Sequence, residues 1–178
     1  MAVEPELLNE LVRVGRKRQL FEPNDTPRLA LGHTQIERLI PHRDPFLFID
    51  QVTALDRIGQ TIVGSRHIDP ADPVFRGHFP GDPIYPGVLQ LEMMGQLGLC
   101  LLALVGDARS APGDGSRAAR ALKVHYAVFV TAIQPNDDLI VLAKLIEADD
   151  VTGICAGQIV KGDAVCSFGV MEVYFAQD

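Results

Sequence analysis

His78 and Glu92 are the two side chains of this sequence whose types and settings equip them to move protons. The histidine lies in Gly77-His78-Phe79-Pro80-Gly81-Asp82-Pro83-Ile84-Tyr85-Pro86-Gly87, where three prolines and three glycines fall within eleven residues. Prolines fix φ, and glycines permit positive φ and close backbone approach, so such a turn holds its polar groups with little freedom. An imidazole there can take a proton near neutral pH. Glu92 follows in the run Gly87 to Val105, which is apolar on nearly every face and reads as a helix buried all round, with Glu92 and Gln96 as its odd members. Burial among Leu89, Leu91, Met93 and Met94 is expected to push that carboxyl pKa upward. A fixed base with a buried acid reads as proton-transfer chemistry.

The elements that must position these groups are legible around them. Residues 4 to 20 read as a short helix, with Leu7, Leu8, Leu11 and Val12 at helical spacing, and a Pro/Asn/Asp-rich break follows at 22 to 28. This segment looks like an appendage. His33 to Ile40 reads as a helical turn or two, stopped by Pro41. Phe46 to Leu55 and Gln60 to Ile68 read as paired strands across a turn at Asp56 to Gly59. After the apolar helix, 106 to 116 is a Gly/Pro/Asp/Ser loop. Strand patterns then fill Ala121 to Ile133, Leu139 to Glu147, Ile154 to Val160 and Ala164 to Phe175, with hairpin turns at Gln134-Pro135-Asn136-Asp137 and Lys161-Gly162-Asp163. The order predicts an α+β fold, an antiparallel sheet curled around a single long helix.

Composition narrows the function classes. The 178 residues and 47% hydrophobic content fit one domain with one substantial core. A net charge of -7 argues against non-specific binding to nucleic acid or to an anionic membrane. The basic cluster Arg13, Arg16, Lys17 and Arg18 lacks interleaved aromatics and reads as a solvated helix face. Cys100, Cys155 and Cys166 match neither a disulfide framework nor a zinc site, which points to a reducing cytoplasm. The N-terminus carries Glu4 and Glu6 and no long apolar core, so it does not read as a signal peptide. The other histidines, His33, His42, His67 and His125, lack a comparable setting and are expected in surface or capping roles.

Two segments carry a resemblance. Ile40-Pro41-His42-Arg43-Asp44-Pro45-Phe46-Leu47-Phe48-Ile49-Asp50-Gln51-Val52, and Gly77 through Gln96, resemble the β-hydroxyacyl-acyl-carrier-protein dehydratases of fatty acid synthesis. The acid is Glu, as in the FabZ branch, where the FabA branch has Asp. The resemblance spans roughly residues 35 to 176 and implies a hotdog fold, a curved antiparallel β-sheet wrapped around one long central helix. It divides the chain into an N-terminal helical extension, 1–33, and a dehydratase domain, 34–178. It implies that His78 is the catalytic base and Glu92 its acid partner, that the Gly87 amide binds the thioester carbonyl, that Gln96 lies near Glu92, and that the Ile84 carbonyl orients the histidine ring. It further implies acyl carrier protein as partner, and a homodimer, or a trimer of dimers, whose sites take the histidine from one protomer and the acid from the other. No metal or cofactor is expected beyond the phosphopantetheine that carries the substrate. Arg43, Arg66, Arg76 and Lys123 read as ordinary surface charge, with contact to that phosphopantetheine arm or to an acidic carrier as the alternative for each. The sequence departs from the FabZ branch beside Phe129, where Val128 and Val130 stand in place of basic residues.

These residue types suit the implied reaction, loss of water from a (3R)-hydroxyacyl thioester to give a trans-2-enoyl thioester. The C2 proton needs a base, the C3 hydroxyl needs an acid, and the enolate-like oxygen needs donors such as the unpaired amides at a helix start. Glu92 lies five residues beyond Gly87, about 7.5 Å along the helix axis, so supply of the acid by a second chain relieves a mismatch. Alternatives of the same fold are an enoyl-thioester hydratase and an acyl thioesterase. A non-catalytic acyl-binding subunit is the alternative of another class.

Overall fold

A computed structural model describes residues 3–106 and 119–175, so most of the loop read at 106 to 116 lies outside the described residues. In chain order the elements are α1 (Pro5–Gly15), β1 (Arg28–Leu31), α2 (His33–Leu39), β2 (Gln51–Asp56), β3 (Thr61–His67), α3 (Gly87–Val105), β4 (Ala119–Phe129), β5 (Asp138–Ala148), β6 (Thr152–Lys161) and β7 (Ala164–Phe175). The strands form one seven-stranded sheet in the order β1-β2-β3-β5-β6-β7-β4, antiparallel throughout. This is the predicted sheet around a single long helix, with α3 packed across β3, β5 and β6.

Close packing of helix on sheet depends on small residues. A Cβ at Gly157 on β6 would come within 2.6 Å of the Met94 side chain, so only glycine admits the helix at that distance. Met93, Met94, Leu97, Cys100 and Leu101 are fully buried on α3. By length and composition this helix could cross a bilayer, but in the fold these residues pack into the main core beneath the sheet. Burial also pushes the Cys100 and Cys155 thiols up to about 12, so neither is poised as a nucleophile.

β6 is buried along nearly its whole length because both faces are covered. Cys155 and Ile159 join the core under α3, whereas Ile154 and Ala156 join Phe168 and Val170 in a second cluster on the opposite face. Leu8, Leu11 and Val12 of α1 close that second cluster. The chain after α1 is fastened by Gln158, which is fully buried: its Nε2 donates to the carbonyls of Gly15 and Arg18, and its Oε1 accepts from the Leu20 amide.

Two expectations shift. Residues 28–31 form the edge strand β1 within the sheet, paired to β2, although the sequence reading placed them in the extension. The strand expected from Phe46 begins only at Gln51, because a side chain substitutes for strand partners: the Gln96 amide accepts from the Phe48 N–H at 2.8 Å and donates to the Phe46 carbonyl at 2.9 Å. The turns fall where expected, with Asp56 Oδ1 accepting from the amides of Ile58 and Gly59 at 2.9 Å each, and Gly162 at φ 56° between β6 and β7.

Candidate active site

The loop bearing His78 is tied down along its length. The Ile84 amide donates to the His78 carbonyl at 3.0 Å, and the Phe79 and Asp82 backbones bond each other at 3.2 and 3.1 Å. Next to it, the Tyr85 amide donates to Ile133, and the Tyr85 carbonyl accepts from Gln90 Nε2. Burial pushes the Tyr85 hydroxyl up to about 12, so it is no competing base near neutral pH.

His78 Nδ1 lies 2.7 Å from the Ile84 carbonyl oxygen. A carbonyl can only accept, so Nδ1 carries the proton and a neutral imidazole keeps its lone pair on Nε2. The Phe79 ring stacks on the imidazole at a centroid separation of 4.1 Å, and the histidine is half-buried. An open cleft of about 460 Å³ borders this loop, lined in part by Asp72, Phe75, Arg76, Phe79 and Pro83.

Gly87 is the first residue of α3, where amides lack intrahelical acceptors. A Cβ there would come within 2.7 Å of the Phe129 ring, so the helix start abuts the end of the edge strand β4. Further along α3, Gln96 Nε2 donates to Glu92 Oε1 at 2.9 Å, which brings together two residues the sequence grouped. Ile84 and His78 are likewise joined. His78 and Glu92 share no hydrogen bond within the chain among the described residues.

The structure corrects the reading of His42. It is no surface or capping group: its Nε2 stands 3.1 Å from Glu92 Oε1. This contact, with help from Gln96, holds the Glu92 carboxyl below its ordinary 4.5 and overrides the upward pull of burial that the apolar run led us to expect. His125 is also not at the surface, since it bonds Glu172 at 2.8 Å with both side chains buried. Arg66, read as ordinary surface charge, is largely buried and bonds Asp50 at 2.8 Å. Among the described residues, no group of three or more His, Cys, Asp or Glu side chains is placed to hold a metal ion.

Known proteins resemble this chain in sequence and in fold. Residues 40–170 match the family model of the FabA-like domain. A 3-hydroxyacyl-[acyl-carrier-protein] dehydratase FabZ of Xanthomonas campestris pv. campestris is 38% identical over 146 residues, covering 80% of this chain and 92% of the relative. The protein of the same name from Nitratiruptor sp. is 34% identical over 109 residues, 61% of this chain and 73% of its own. Among solved structures, the dehydratase heterocomplex ApeI:P from Xenorhabdus doucetiae superposes with a TM-score of 0.65 at 20% identity, over 80% of this chain and 91% of that one, a likeness of fold. With a family match across most of its length and relatives above one-third identity, the chain belongs to the FabA-like dehydratase family, on a hotdog fold.

Proposed function

We propose that this chain dehydrates (3R)-3-hydroxyacyl thioesters carried on acyl carrier protein to trans-2-enoyl thioesters, as a cytoplasmic homodimer. The observation that carries the reading is the clamp of His78 Nδ1 on the Ile84 carbonyl, which leaves Nε2 as a fixed base in a family of dehydratases. Nε2 takes the C2 proton. The amides at the start of α3, Gly87 foremost, donate to the thioester oxygen as charge builds there. Glu92 acts in its protonated form, which is the minor form in the free chain, where the carboxyl is held below 4.5, and which gains ground when bound substrate excludes water from the carboxyl. It gives that proton to the C3 hydroxyl, the C3–O bond breaks with its electron pair leaving on oxygen, and water departs as the C2–C3 double bond forms. Gln96 holds the carboxyl through this step. The substrate arm is phosphopantetheine, and the cleft beside Phe79 and Arg76 offers it a route to His78.

The dimer is supported by the edge strand. Among the described residues β4 pairs only with β7, and Leu122, Val124, Phe129 and Val130 on and just after it are about half exposed. An apolar sheet edge of this kind calls for a covering chain. A second copy there lies beside the Phe129–Gly87 contact, and so beside the helix start, where its histidine would face Glu92.

The test is enoyl formation from (3R)-hydroxyacyl carrier-protein substrates of graded chain length, with the native protein, His78→Ala and Glu92→Gln. Turnover by the native protein and loss in both variants are expected. Release of free acid would make the protein a thioesterase, and binding without turnover would leave it an acyl-holding subunit.

A further inference from the structure

We propose that His42 is a positioning residue for the acid: its Nε2–H and the Gln96 amide together occupy Glu92 Oε1, so that the transferable proton is confined to Oε2. This rests on the dehydratase reading for its catalytic consequence, and on geometry for its existence. Both contacts fall on the same oxygen, from His42 Nε2 at 3.1 Å and from Gln96 Nε2 at 2.9 Å. Oε2 has no partner among the described residues. The tautomer follows from the other ring nitrogen. His42 Nδ1 is buried without a hydrogen-bond partner, and a buried N–H left unpaired is the costlier orphan, whereas a bare lone pair is tolerated more readily. The proton of the neutral ring therefore sits on Nε2 and points at Oε1.

An oxygen already accepting two N–H donors is a poor seat for a proton. In the acid form the carboxyl thus carries its hydrogen on Oε2, the oxygen open to an incoming hydroxyl. When that proton passes to the C3 oxygen and water leaves, the negative charge remaining on the carboxylate meets two donors already in place. The stronger acid that results is consistent with the downward pull His42 exerts on the carboxyl. Gln96 approaches from α3, and Arg43, next to His42, turns its guanidinium to the carbonyls of Ile40 and His42 at 3.0 and 2.7 Å. In the proposed dimer the second protomer's active-site histidine also faces the carboxyl.

The test compares kcat against pH for the native protein, His42→Leu and His42→Gln, beside a carbon-13 NMR titration of the Glu92 carboxyl assigned with Glu92→Gln. A glutamine amide can replace the Nε2–H donor, and a leucine cannot. In His42→Leu we expect the limiting kcat, on the plateau below the alkaline limb, to fall by about 10- to 100-fold. The carboxyl should titrate at higher pH than in the native protein, and the alkaline limb of the rate profile should move up with it. His42→Gln should restore most of the rate and return both curves toward the native ones. A loss of rate with both curves unmoved would reduce His42 to packing and overturn the proposal. So would failure of glutamine to rescue a shift seen with leucine, because the imidazole charge would then be the active feature. If the native protein forms no enoyl product, the dehydratase reading falls, while the carboxyl titration still decides whether His42 controls Glu92.

Discussion

His42 meets Glu92 at 3.1 Å with side chains 20% and 34% exposed, and His125 meets Glu172 at 2.8 Å with side chains 7% and 4% exposed. The first pair joins a loop to the core helix. The second joins two neighbouring strands, where a register shift between Val124 and Tyr126 re-aims the His125 side chain, on the sheet face that carries Phe168 and Val170. The residue types are the same, so the difference lies in what remains unpaired. Glu92 keeps one oxygen without a partner among the described residues on a side chain about one-third exposed, whereas Glu172 is sealed in the sheet. A histidine–glutamate contact becomes chemically useful when the fold leaves one of its atoms without a partner and within reach of a ligand. When it is closed on all sides, it serves to fix one strand against another.

Exchange of the two acids should separate these roles most sharply. Glu92→Gln is expected to lower kcat for dehydration by about 10²- to 10⁴-fold, the range of a lost general acid, and Glu172→Gln should leave kcat near native, as measured in parallel assays. Next in size is stability. Glu172→Ala leaves His125 buried without its partner and should cost about 3–5 kcal/mol in a denaturant titration, an effect absent from Glu92→Ala at the more open site. The double change His125→Leu with Glu172→Leu should recover most of that loss, because a well-packed apolar pair can replace a buried polar one; no recovery would mean that the strand pair serves more than packing. The smallest effect concerns pH. The Glu92 carboxyl is held below 4.5 in the folded chain, so its contribution to stability is present above that value and is lost as pH falls through the lower folded value. The stability gap between native protein and Glu92→Gln, followed by thermal unfolding, should therefore narrow on acidification below pH 4.5, and only modestly because the group is partly exposed.

The same comparison shows what could be read in advance. The apolar run of α3, the strand patterns and the turn chemistry at Asp56 and Gly162 were legible because each is local. β1 was not: it has four residues, follows Pro27, and shows only Leu29 and Leu31 in alternation, a signal too short to stand out from the break before it. The start of β2 was misplaced because the Gln96 amide, some fifty residues away, takes the backbone groups of Phe46 and Phe48. Of the site, the His78 loop was visible in its residues, and Glu92 and Gln96 stood out as the odd members of an apolar helix, their pairing being implied by the family resemblance. His42 was visible only as part of a family-like motif, since nothing local to it announces a carboxyl across the core. His125 was missed because an irregularity in strand register, which no periodicity encodes, turns it inward.

The grip of Gln158 on the N-terminal segment sets an order of events during synthesis. Its three contacts, with Gly15, Arg18 and Leu20, span 143, 140 and 138 residues of sequence. The segment leaves the ribosome well before β6 and must therefore wait for it before it can be fastened, and contacts of such separation are among the last to repay their loop-closure entropy. Until then the apolar stripe of α1 is exposed on a tethered, unattached helix. The nascent chain accordingly carries an uncovered apolar stripe ahead of the strand that will cover it, which makes α1 a natural place for a chaperone to hold.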